Sequence, residues 1–352
     1  MKNYIVVLSL LISSISFGQK KEEKEKEAFE LAQKAIELMD FGKVDQSIDL
    51  LKKSIKLDPT NFNYPYELGF AYNLKRDYPN AVKTYKKVVK YKEATDQCYQ
   101  MLGNVYDLSG DKENALKSYQ KGLKKFPNSG KLYYEIGNIQ SDKNEALKYY
   151  EKGISVDPNY PSNYYIVTKY YLNSTKNEMW GMLYGELFLN IDRGSVRTEE
   201  ISKLLFDKYK SEIKFKDKNH FSVSFYTELN STNTSEQIPF GLKIYEPLLS
   251  ISTLGNDTIT LASLNTIRTK FTNSYYNEKH NLVYPNILFD LQKLLIEKGY
   301  FECYNYWLLM KGNDLEFHNW YSNNTKKFDE FISWFSKNKL LLTVDNKFVR
   351  FE

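Results

Sequence analysis

The feature that most constrains this chain is a step of 34 residues that recurs through its first half. Gly69, Gly103 and Gly137 are spaced by it, as are Ala81 and Ala115, and Tyr85 and Tyr119; Pro59 and Pro127 stand two steps apart. A fixed step of this kind means that one supersecondary unit is copied along the chain, and that each copy buries its apolar face only against its neighbours. Within a step, amphipathic stretches with apolar residues three or four apart are separated by turn residues such as Asp40-Phe41-Gly42 and Ser109-Gly110-Asp111. Each unit therefore reads as two helices joined by a tight turn. Glycine and alanine at the repeating positions let the paired helices approach closely, while tyrosine and leucine fill the space beside them. Proline after the second helix stops it, because proline lacks an amide donor and clashes with the preceding turn.

These residues resemble the tetratricopeptide-repeat family. In family register the first repeat spans residues 28–61, with Leu31, Ala35, Leu38, Ser47, Leu51, Ser54 and Pro59 at signature positions. The second, 62–95, offers Leu68, Gly69, Tyr72, Ala81, Tyr85 and Val88. The third, 96–129, matches most fully, with Tyr99, Leu102, Gly103, Tyr106, Ala115, Tyr119, Gly122 and Pro127. The fourth, 130–160, keeps Tyr133, Ile136, Gly137, Ala146, Tyr150, Gly153 and Pro158, but three residues are missing between Gly137 and Ala146. A degenerate fifth unit, 161–195, retains Tyr164, Tyr171, Trp180 and Tyr184 while its small residues are lost or displaced. The resemblance implies an all-α fold, a right-handed superhelix with a concave groove, followed from residue 196 to 352 by a mainly helical domain.

In the family the groove is lined by the second, fifth, ninth and twelfth positions of each first helix. The resemblance places there Asn63, Tyr66, Phe70 and Asn73, then Gln97, Gln100, Asn104 and Asp107, then Lys131, Tyr134 and Asn138, and last Ser162, Tyr165 and Lys169. Amide side chains both donate to and accept from an extended backbone, and tyrosine adds contact area at low entropic cost, so this lining suits a protein or peptide partner. The charged clamp that grips a carboxylate tail in some family members is absent, since its positions fall on Ala32 and Ile36 or on Tyr66 and Phe70. Two other readings stay open: a solvated inner surface, or a surface covered by the chain's own second half.

Residues 1–18 read as a secretory signal peptide, with Met1-Lys2, an apolar run from Tyr4 to Ile15, and small residues at Ser16-Phe17-Gly18. That run is shorter than the roughly 20 residues a membrane-crossing helix needs. The expectation is an exported protein of the periplasm or envelope with no integral span in its mature chain. Residues 19–27 alternate charge as a solvated linker does. The net charge of +5 is dispersed without a basic stripe, so nucleic acid is not an expected partner.

Beyond residue 196, helical patterns are readable at 198–210, 261–275, 287–298, 302–310 and 326–336, with Asn323 or Thr325 as a cap for the last. Phe221–Phe225 alternates like a strand, residues 230–237 read as a surface loop, and 340–344 with 347–351 suggest a terminal β-hairpin. Aromatic residues cluster at 300–307, 317–321 and 331–335; most suit a core, and an exposed subset would suit a glycan or peptide. Cys98 and Cys303 read as buried free thiols, with a disulfide as the alternative. No nucleophile elbow, paired-histidine zinc spacing, phosphate-binding glycine loop or dinucleotide fingerprint occurs, and His318 near Asp314 and Glu316 reads as a surface histidine. The function expected is a non-catalytic scaffold without a cofactor. An architectural subunit of an envelope complex, or a second domain that is an enzyme recruited by the repeats, are the rival classes.

Overall fold

The computed structural model describes residues 2–173, 177–217, 220–226 and 239–346, with side chains described from Lys20 onward. Among them are sixteen α-helices and one two-stranded sheet, so the fold is all-α in character. The chain forms two compact units, residues 1–141 and 142–352, and the boundary falls inside the fourth repeat.

The first unit contains α1 (Lys2–Asp40), α2 (Val44–Leu57), α3 (Asn63–Leu74), α4 (Tyr78–Val88), α5 (Asp96–Leu108), α6 (Lys112–Lys125) and α7 (Gly130–Ile139). Ala28, Ala32, Ala35 and Met39 of α1 form one core with Ile48 and Leu51 of α2 and Tyr64, Leu68 and Ala71 of α3. The repeating glycines work as the sequence implies. A methyl group on Gly69 would lie 2.8 Å from the Tyr85 ring, and one on Gly103 would lie 2.5 Å from Cδ1 of Tyr119 and closer to Cε1. Each helix pair is thus in contact at a point where no larger residue fits.

The turns and caps repeat with the same step. Asp77 accepts from the backbone amide of Asn80, and Asp111 from that of Asn114, at 3.3 and 3.1 Å, which satisfies one free donor at the start of α4 and of α6. Between the helices of a pair, Gly42 and Gly110 take φ of 73° and 86°, where glycine carries no steric cost. The equivalent residue of the second repeat is Arg76 at φ 61°, a left-handed conformation that costs an L-residue about 1–2 kcal/mol. The three residues missing from the fourth repeat shorten α7, which ends at Ile139. It therefore has no helical twelfth position.

The second unit contains α8 (Lys143–Val156), α9 (Pro161–Leu172), α10 (Glu178–Ile191), α11 (Val196–Glu212), β1 (Ile213–Phe215), β2 (Phe221–Val223), α12 (Glu246–Thr253), α13 (Leu261–Asn277), α14 (Ile287–Glu297), α15 (Phe301–Leu309) and α16 (Asp314–Lys337). Every residue of α10 from Glu178 to Asn190 is buried. Tyr184 on it meets Tyr164 and Tyr171 of α9, with ring centroids 6.1 Å apart in both cases. On another side, Glu186 binds Arg268 of α13 at 2.6 and 2.8 Å, Gln292 of α14 at 2.9 Å and the Tyr304 hydroxyl of α15 at 2.9 Å. Arg268 reaches in addition Asn305 at 2.6 Å and the Tyr209 hydroxyl of α11 at 3.1 Å. The helix read as the end of a degenerate repeat is also the axis of the second unit.

The helices expected after residue 196 are present, with two differences. The last starts at Asp314 rather than Lys326, capped by Asn313, and residue Asn324 interrupts it with φ −128° and ψ 16°. Asn323, Asn324 and Thr325 do not cap a new helix. Their side chains bond back to the carbonyls of Asn319, Trp320 and Tyr321 at 2.9–3.0 Å, which keeps those acceptors satisfied through the kink. The second difference is α12, which follows a π-helical turn at Gly241–Tyr245 and left no clear period in the sequence.

The strand expected at Phe221 is β2, antiparallel to β1 with Phe215 opposite Phe221. Residues 340–343 join no strand among the described residues, residues 347–351 lie outside them, and so do 230–237. Among the described residues, no helix is long and apolar enough to cross a membrane.

Candidate functional site

The first helices α5 and α7 are joined through residues at their groove positions: Gln97 accepts from Lys131 at 3.0 Å. Tyr66 of α3 acts on the same side, with Gln97 as a polar neighbour. Lys131 also pairs with Asp96 at 3.6 Å. A second thread centres on Glu135, which accepts from Gln100 at 2.6 Å and from Asn138 at 3.3 Å. These bonds bring Gln97, Gln100, Lys131 and Asn138 together across α5 and α7. Each amide retains further donors and acceptors for a ligand.

Exposure divides the face. Asn63, Phe70 and Asn138 are exposed, whereas Tyr66, Asn73, Gln100, Asn104, Asp107 and Tyr134 are half-buried. Tyr66 packs edge-on against Tyr85 at 5.8 Å. Asn104 accepts the Tyr119 hydroxyl at 2.7 Å and so belongs to the fold as much as to the groove. At the matching position one repeat earlier stands Phe70, and there the fully buried Tyr85 hydroxyl has no hydrogen-bond partner.

The sequence reading missed the sixth position. Glu67 and Glu135 stand there, two repeats apart, and both are half-buried. Burial pushes the Glu67 carboxyl above its usual range. Burial does the same to Glu135, partly offset by the amides of Gln100 and Asn138. A carboxyl raised in this way makes the fold less stable where it is ionised, and that cost fades as pH falls through the raised value. The reading also passed over Phe29 and Ile36, which occupy the second and ninth positions of the first repeat and are 54% and 41% exposed. An open cleft of about 560 Å³, lined by Phe29, Phe62, Asn63, Tyr64, Glu25, Asp58, Thr60, Asn61 and Glu93, extends the face where α1 meets the α2–α3 loop.

In the second unit the expected groove positions have partners from α11. Tyr165 donates its hydroxyl to Glu200 at 2.5 Å, and Lys169 pairs with the same carboxylate at 2.7 Å. Arg197 bonds Ser162 at 3.0 Å and lies 5.4 Å from the centre of the Tyr165 ring. Here residues of α11, from the chain's own second half, engage the expected groove side chains, which stay half-buried.

Among the described residues, no group of three His, Cys, Asp or Glu is placed to hold a metal ion. His318 sits on α16 with its Nδ1 by the Asp314 carbonyl, His220 pairs with Asp217 and His280 with Glu278. Cys98 and Cys303 are buried free thiols in different units, and burial pushes Cys303 up to about 11. The aromatic cluster of α15 and α16 is packed on itself: Tyr306 stacks on Trp320 at 4.1 Å and Phe331 on Phe335 at 5.0 Å. None of its rings is fully exposed, so it offers no free aromatic platform.

The family model for the tetratricopeptide repeat matches residues 96–129 and 130–160. No curated protein matches the sequence. Among solved structures, the chain is similar to the MamA protein, at 21% identity over 48% of this chain and 93% of that one, with a TM-score of 0.37. It is similar to PilF of Pseudomonas aeruginosa at 16% identity over 54% and 86%, TM-score 0.41. It is also similar to YrrB, described as a TPR protein with an unusual peptide-binding site, at 18% identity over 51% and 94%, TM-score 0.34. Scores this low support no argument from the likeness. The repeating glycines, the caps at one step and the family match agree: residues 96–160 form tetratricopeptide repeats.

Proposed function

We propose that this chain is a non-catalytic interaction scaffold of the cell envelope that holds a protein or peptide segment across α3, α5 and α7. The observation that carries the reading is Phe70. An asparagine there would satisfy the Tyr85 hydroxyl, as Asn104 satisfies Tyr119; phenylalanine leaves the hydroxyl unpaired and puts an aromatic ring 36% in solvent. A residue that serves the fold badly on two counts is expected where binding sets the choice. Asn63 and Asn138 flank it with amide groups in solvent reach, and Tyr165 and Lys169, held by α11, are left out of the binding face.

The test is Phe70→Asn. The variant is expected to gain about 1 kcal/mol of stability through the new hydrogen bond and to lose the partner that the parent captures from an envelope extract. Capture that survives the substitution would sink the reading. The protein used is recovered from fractionated cells and its amino terminus sequenced: a start near Gln19 supports export, and a retained Met1 overturns that half of the proposal.

A further inference from the structure

We infer that the partner segment is basic, and that a lysine or arginine side chain is received between Tyr66, Glu67 and Phe70, with the Tyr85 hydroxyl beneath. The inference rests on the proposed function and specifies the chemistry of its ligand.

Glu67 lies on α3 between two groove positions, half removed from water, and among the described residues it has neither an ion pair nor a hydrogen bond. A carboxylate in that state lacks the compensation that desolvated charges ordinarily have. The second observation is independent of it. Tyr85 is fully buried, its hydroxyl is unpartnered, and its ring lies 5.8 Å from that of Tyr66, the neighbour of Glu67 on α3. The Tyr119 hydroxyl, one repeat on, reaches the groove residue Asn104, so the orphan hydroxyl is aimed at the same face.

The Glu67 carboxylate has no donor, and the Tyr85 hydroxyl, which can accept as well as donate, has no partner; a group that only donates can engage both. Lysine and arginine are such groups, whereas an acidic tail or a free carboxylate would set a second negative charge beside Glu67. The rings of Tyr66 and Phe70 beside the carboxylate add cation–π attraction and cover the aliphatic stem. Glu135, two repeats further along, adds a second half-buried carboxylate, held by the amides of Gln100 and Asn138, while Lys131 of the same helix is paired with Asp96. The charge of the face therefore recurs along the groove. This surface selects the opposite end of the charge scale from a carboxylate clamp.

A random linear peptide library is selected against the full chain, and enriched peptides are measured by fluorescence anisotropy against the parent, Glu67→Gln and Phe70→Asn. The expected result is that enriched peptides carry lysine or arginine. Their affinity should fall about tenfold or more in Glu67→Gln, and also when ionic strength is raised from about 0.05 to about 0.5 M. Acetylating the peptide lysines should give a similar loss, a readout that does not depend on how a variant folds. Enrichment of neutral or acidic peptides, or equal binding by Glu67→Gln, overturns the inference; if Phe70→Asn still abolishes that binding, the groove reading survives it. Failure to enrich any peptide overturns both.

Discussion

Replacing Arg268 with methionine is expected to destabilise the second unit by about 3–5 kcal/mol, because it strands a buried charge rather than removing one contact. Glu186 is 3% exposed and sits on a helix buried from residue 178 to 190; without the guanidinium it keeps only the Gln292 amide and the Tyr304 hydroxyl. Those bonds do not neutralise it. The companion variant decides whether charge is the cause. Glu186→Leu combined with Arg268→Met removes both ions, and the pair should recover most of the loss, since buried ion pairs exchanged for apolar residues of similar volume are often near neutral. Urea midpoints of parent, single and double variants are the measurement. A double variant as unstable as the single would mean that packing around Arg268, not its charge, holds α10, α13 and α15 together.

The second large effect is expected at Gly103. A methyl group there enters the Tyr119 ring, 2.5 Å from Cδ1 and closer to Cε1, so Gly103→Ala must part α5 from α6 and is expected to cost about 1–3 kcal/mol. Alanine is the better helix former, so propensity alone predicts a small gain. The sign of the change tells which term wins. In a Tyr119→Ala background, itself costing about 3–5 kcal/mol, the same substitution should be nearly free, and the coupling read from thermal melts should account for the whole effect. A Gly103→Ala protein as stable as the parent would show that the helix pair yields and that the repeating glycine is not a contact point.

What was legible in the sequence was local or strictly periodic. The cap at Asp111 needs Asn114 three residues away, the turn at Gly110 needs a residue that tolerates positive φ, and the Gly103–Tyr119 contact recurs as Gly69–Tyr85. The step of 34 residues exposes such pairs because each copy faces the same neighbour. The groove positions were assigned by the same step, and of them Gln100 and Asn138 meet through Glu135 across α5 and α7. Glu67 and Glu135 were missed because position six carries no family signature. Their desolvation depends on what the preceding helix places against them.

The second unit was legible element by element and illegible as an assembly. Its helices show in the spacing of apolar residues, but α10 is apolar on all sides, so it has no face from which a neighbour could be inferred. Glu186, a charge in the middle of that run, was the available signal that a buried partner existed; nothing near it in sequence named Arg268, which stands 82 residues away. Tyr165 and Lys169 looked like open groove positions because their own repeat leaves them free, and it is α11 that engages them. By itself the sequence determined the repeat helices, the turns between them and their pairing from α2 to α6, since each rests on contacts within about one repeat. Tertiary structure alone decided which carboxylates lose their water, which groove positions stay open and what fills the centre of the second unit, because burial belongs to the neighbours a residue meets and not to the residue.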